Sequence, residues 1–83
     1  MRYKLTQHAQ DALMKRGISL EWLERALFFP QKREPDLLDS ELEHRLLMIA
    51  ENGQRVLRVI VNKEVTPERV ITAYFDRSMR EKT

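Results

Sequence analysis

The sequence predicts an α+β domain in which two N-terminal helices pack on one face of a small antiparallel sheet. Three observations predict it. Two capped segments with apolar residues at spacings of three and four fill residues 6–29, and Asn52-Gly53 separates two β-rich runs. A last run, Arg69–Asp76, alternates apolar and polar residues with period two. Strand, helix, helix and antiparallel meander in that order make an α+β sheet with its helices on one side. A chain of 83 residues has room for one thin core, so residues 1–83 are read as a single domain.

Each element has its own signal. Arg2–Leu5 reads as a short strand with Tyr3 and Leu5 on one face. Thr6 then caps a helix running to about Arg16, and Gly17 supplies the left-handed residue that ends it. Ala9, Ala12, Leu13 and Arg16 form a narrow stripe of mostly small residues that permits close packing. Ile18 precedes a second cap, Ser19, with Glu21 in the first turn; Leu20, Leu23, Ala26 and Leu27 form the apolar face, and Pro30 stops the helix. Residues 30–41 have loop composition, interrupted by Leu37 and Leu38, with room for a short edge strand.

From Leu42 the pattern is β. A two-residue turn at Asn52-Gly53 would pair Glu51 with Gln54, Met48 with Leu57, Leu46 with Val59, and His44 with Val61. That register puts Leu46, Met48, Leu57 and Val59 under the helices and leaves Arg45 and Arg58 as diagonal neighbours on the other, open face. In the final strand Ile71, Ala73 and Phe75 belong on the helix side, so Thr72 and Tyr74 join the two arginines. The tail, residues 77–83, is polar and basic.

Composition narrows the chemistry. The chain has no cysteine, which removes disulfides, thiol catalysis and cysteine-held metals and fits a reducing compartment. No apolar run approaches the roughly 20 residues that span a bilayer, and no apolar signal core follows Met1, so a cytoplasmic protein without a membrane partner is expected. Net charge is +2, but residues 1–17 and 45–83 are basic while residues 18–44 are acidic. Ten of the fifteen cations are arginines, which fork onto phosphates and carboxylates. A basic face built from the two ends suits a polyanion.

A family resemblance emerges from particular residues. His8-Ala9, Arg16-Gly17-Ile18, the strand Arg55-Val56-Leu57-Arg58-Val59, and Val70-Ile71-Thr72-Ala73-Tyr74 followed by Asp76-Arg77-Ser78 resemble, over nearly the whole chain, a small uncharacterised bacterial family. The resemblance implies a RelE/ParE-like toxin fold and membership of the wider metal-independent ribonuclease grouping, with RNA or the ribosome as target and an antitoxin protein as partner. Ala12 departs from the pattern, since that family commonly has Arg there.

Candidate site residues follow. His8, in the first helical turn, is placed to stay neutral and accept the 2′-hydroxyl proton that starts RNA cleavage. Arg58 would hold the phosphate, and Tyr74 would donate a hydrogen bond or stack on a base. Arg16, Arg45, Thr72, Arg77 and Arg80 complete the expected RNA surface. His8 and His44 fall on different layers, and with no cysteine they make no metal site, so neither metal nor cofactor is expected. Two further readings use the same fold: a catalytically degenerate module that binds RNA or protein, favoured by Ala12, and an interaction module using the hairpin edge or Trp22 and Phe28-Phe29.

Overall fold

A computed structural model describes residues 2–79. The elements run β1 (Tyr3–Leu5), α1 (Gln7–Arg16), α2 (Leu20–Phe28), β2 (Lys32–Pro35), β3 (Leu42–Ile49), β4 (Arg55–Asn62) and β5 (Glu68–Asp76). The strands form one five-stranded mixed sheet in the order β1-β5-β4-β3-β2. The sheet is not wholly antiparallel, because β1 pairs parallel with the start of β5, Tyr3 opposite Glu68 and Leu5 opposite Val70. Such a pairing joins the two ends of the chain, and a period-two pattern is blind to it.

The helix boundaries follow their capping chemistry. Thr6 Oγ1 accepts from the Ala9 amide at 3.0 Å and donates to the Ile71 carbonyl at 3.1 Å, so one hydroxyl caps α1 and ties it to β5. Gly17 closes α1 in the left-handed conformation at φ 65°, and the Ile18 amide reaches back to the Leu13 carbonyl at 3.0 Å. Ser19 Oγ caps α2 through the Trp22 amide at 3.1 Å.

Side chains from both helices and three strands form one buried cluster. Ala9 and Leu13 of α1, Leu23, Ala26 and Leu27 of α2, and Ile49, Leu57, Val59, Val61, Val70 and Ala73 of the sheet all belong to it. Edge-to-face aromatic pairs extend it, Tyr3 with Phe28 and Trp22 with Phe75, with ring centres 5.9 and 6.1 Å apart. We call the sheet face that carries this cluster the core face.

The hairpin register differs from the expected one by a single residue. Ile49 pairs with Arg55, Leu47 with Leu57, Arg45 with Val59 and Glu43 with Val61. Ala50–Asn52 form a 3-10 turn, and Gly53 and Gln54 carry positive φ angles of 65° and 59°, so the connection is five residues long instead of two. Arg25 of α2 holds that turn through both carboxylate oxygens of Glu51.

As a result β4 keeps its expected faces and β3 turns over. Leu46 and Met48 leave the core face, where Leu47 and Ile49 replace them, and Arg45 goes inward while His44 goes outward. A second irregularity lies in β5. A register shift between Ile60 and Val61 leaves Ile71 unpaired on β5, so Val70 and Ala73 both face the core and Ile71 does not continue the inward series.

Candidate functional site

Arg45 is structural. Its side chain, 5% exposed, donates from Nη1 and Nη2 to the two oxygens of Glu68 at 2.9 and 2.8 Å, from Nε to Glu43 at 2.7 Å, and from Nη1 to the Leu27 carbonyl at 3.1 Å. This corrects its expected place on an open RNA surface: the guanidinium lies on the core face and its donors are spent on the end of α2 and on β5. The Arg45 bond holds the Glu68 carboxyl below the usual carboxylate range.

Arg58 lies on the opposite face, as expected, but is 9% exposed and surrounded by acceptors. Nε donates to Asp76 at 2.7 Å, and Nη1 to Glu34 at 3.1 Å and to His44 Nδ1 at 2.7 Å. Because a guanidinium only donates, His44 Nδ1 must be the unprotonated nitrogen, and Nε2 then donates to Asp36 Oδ1 at 2.6 Å. His44 is thus a neutral link between the β2–β3 loop and Arg58, its tautomer set by its neighbours. The contact with His44 and two backbone amides keeps the Asp36 carboxyl below its ordinary value.

A different constellation gathers the exposed arginines. Arg16 at the end of α1, Arg55 at the start of β4, and Tyr74, Phe75, Asp76 and Arg77 at the end of β5 line a cavity of about 250 Å³. Three guanidiniums, all on exposed residues, converge there from three element ends. Arg16 Nη1 makes a long bond, 3.5 Å, to the Ala73 carbonyl. Arg55 lies over the Phe75 ring at 5.9 Å. Among the described residues none of the three forms a salt bridge. The one acid in the wall, Asp76, accepts from Arg58, from the Ser78 hydroxyl at 2.6 Å and from the Ser78 amide at 2.9 Å. The Ser78 and Arg58 bonds outweigh burial and hold its carboxyl low, so it stays ionised but occupied. An arginine-lined cavity with an aromatic wall is suited to phosphate, with room for a base beside it.

Of the residues expected to form the site, Arg16, Tyr74 and Arg77 are brought together, while Arg58 is held in its carboxylate network and Arg45 lies on the other face. Thr72 is half-buried opposite Ile60 and does not line the cavity. Arg80 lies outside the described residues. His8 is exposed at the far end of α1, eight residues or about 12 Å along the axis from Arg16. Between them Ala12 is only 3% exposed, so the row His8, Ala12, Arg16 passes into the core at its middle. The residue missed was Arg55, which begins a strand directly after the turn.

Among the described residues no three His, Cys, Asp or Glu side chains are grouped to hold a metal ion, and no helix is long and apolar enough to cross a membrane. No curated protein and no solved structure matches the chain. Residues 5–75 match the domain of unknown function DUF4258, a span that runs from the last residue of β1 through both helices and β2–β4 to Phe75 in β5, and the chain belongs to that family.

Proposed function

We propose that this protein binds single-stranded RNA through the cavity formed by Arg16, Arg55, Tyr74 and Arg77, as a catalytically degenerate member of the RelE/ParE-like fold with two helices on one sheet face. The convergence of three arginines without carboxylate partners among the described residues carries this reading. Tyr74 supplies flat surface for a base, and the cavity of about 250 Å³ has room for a phosphate and part of one nucleotide. Ala12 supports the degenerate form, since a methyl group, 3% exposed, stands where the resemblance implies an arginine.

A second reading, endoribonuclease and toxin of a toxin–antitoxin pair acting on free or ribosome-bound RNA, is favoured by one observation: Tyr74 and Asp76 put a phenol and a carboxylate in the wall beside the three arginines. His8, at the other end of α1, is too far from a phosphate held there to take the adjacent 2′-hydroxyl proton, so in this reading Tyr74 is the acid–base group.

Fluorescence anisotropy with a short single-stranded RNA tests the proposal across a salt series. Each phosphate neutralised contributes a log–log slope of about −0.7, so three arginines give a slope near −2 that falls by about 0.7 in each of Arg16→Ala, Arg55→Ala and Arg77→Ala. No binding, or slopes the three variants leave unchanged, overturns it. Incubation of the same RNA with EDTA separates the two readings: intact RNA supports the binding module, whereas metal-independent cleavage lost in Tyr74→Phe supports the enzyme, and a roughly 100- to 10,000-fold loss in His8→Ala would instead put the scissile phosphate at His8 and not in the arginine cavity.

A further inference from the structure

We propose that the β2–β3 loop is a docking knob for a basic amphipathic segment of another protein, independent of whether the arginine cavity takes RNA. Leu37 and Leu38 stand at its tip 96% and 98% exposed. Nothing in the loop requires leucine there. Its conformation is set by polar groups: Asp36 Oδ2 accepts from the Leu38 and Asp39 amides at 3.1 and 3.0 Å, and Asp39 Oδ1 from the Glu41 amide at 2.9 Å. The Asp36 amide donates to the Leu42 carbonyl and the Leu42 amide to the Asp39 carbonyl. The other oxygen of Asp36 is anchored on His44, and through it on Arg58 in the sheet. A loop so pinned presents its leucines in place, and a preorganised apolar pair loses little ordering entropy on binding.

Beside the leucines lies an open cleft of about 780 Å³, floored by His44 and Arg58 and walled by Glu34 and Pro35. The charge around it chooses the partner. From residue 34 to residue 41 the chain carries Glu34, Asp36, Asp39 and Glu41 and no cation. Glu34 is paired with Lys32 at 3.1 Å and with Arg58, and Lys63, which donates to the Ser40 carbonyl at 3.2 Å, is paired with Glu64, so among the described residues Asp39 and Glu41 are the loop acids with no salt-bridge partner. Nucleic acid and anionic membrane are therefore repelled from this loop. A second copy docking through the same loop would set acid against acid. What fits is a segment whose apolar side chains enter the cleft beside Leu37 and Leu38 while lysines or arginines meet Asp39 and Glu41.

A phage-displayed library of random 16-residue peptides, panned on the full-length protein and depleted on the double variant Leu37→Asp/Leu38→Asp, tests this. Both positions are solvent-exposed, and circular dichroism confirms that the double variant is folded. The expected peptides combine apolar pairs with Lys or Arg, bind the parent at least tenfold more tightly than the double variant, and lose their salt dependence on Asp39→Asn/Glu41→Gln, which removes both charges and keeps the Oδ1 acceptor of the loop. Enrichment of acidic peptides, equal binding to both proteins, or no enrichment overturns the proposal. Self-association that disappears in the double variant overturns it as well, assigning the knob to a second copy.

Discussion

Replacing Arg45 by Met keeps the length of the aliphatic stem and deletes the charge, so the loss isolates the network that Arg45 holds. In the folded chain this variant strands Glu68 without its cation, leaves Glu43 with Arg33 alone, and leaves the Leu27 carbonyl without that donor. Breaking one side of a buried ion pair costs about 3–5 kcal/mol; Glu68 is about one-third exposed, so water recovers part of this and about 2–4 kcal/mol is expected. A domain of this size has roughly 4–12 kcal/mol in total, and each kcal/mol shifts its midpoint by about 4–8 °C. Urea and thermal unfolding followed by circular dichroism measure the loss. The pH dependence gives an independent check. Glu68 titrates below its unfolded value when Arg45 is present, so the pair's contribution is complete above the ordinary Glu value of 4.5 and disappears as pH falls through the depressed folded value. Arg45→Met should flatten that acid limb. Were Arg45 on the solvent face, as the Asn-Gly turn suggests, the variant would cost at most about 1 kcal/mol and leave the acid limb unchanged; that result would refute both the network and the register.

Three other substitutions probe the helices. Thr6→Ala removes the cap of α1 and its bond to Ile71 together, and should cost about 1–2 kcal/mol in urea unfolding. Ala12→Arg forces a long cation into a position 3% exposed, so it should lower stability by about 1–3 kcal/mol without creating ribonuclease activity, as read by the unfolding midpoint and an RNA cleavage assay. Tyr3 donates to Glu24 at 2.7 Å, and burial together with that carboxylate pushes its phenol up to about 12, so an ultraviolet titration should show one of the two tyrosines ionising late and Tyr3→Phe should abolish that late component.

How much of this architecture is legible from the chain depends on how local its cause is. Thr6, Gly17 and Ser19 act within one helical turn, and the observed helices begin and end beside them. The register of β3 has no such local determinant. Its two alternating sets are Leu42, His44, Leu46, Met48 and Glu43, Arg45, Leu47, Ile49, and hydrophobicity alone prefers the first for the core. The second prevails because Arg45 finds Glu68 and the Leu27 carbonyl across the fold, and because the 3-10 turn is tied to Arg25. Those partners are 18 to 26 residues away, beyond any periodicity. The parallel pairing of β1 with β5 is hidden for the same reason.

The candidate site divides along the same line. An arginine on an aliphatic strand signals an unusual cost, and that cost can be offset either by a ligand's anion or by the chain's own carboxylates. For Arg58 the chain supplies Glu34 and Asp76, with His44 as a third acceptor, so the strand arginines that stand out by pattern are those that hold the fold together. The arginines left for a ligand sit where pattern is weakest, at the ends of elements. Arg16 ends α1, Arg55 opens β4 and Arg77 follows β5. Antiparallel pairing sets the start of β4 beside the end of β5, since Val56 pairs with Asp76, and α1 runs along β5 until Arg16 reaches the Ala73 carbonyl. Three termini thus meet at one end of the sheet, and the cationic cavity is a product of topology: no short motif contains it, because its members are 39 and 22 residues apart in sequence.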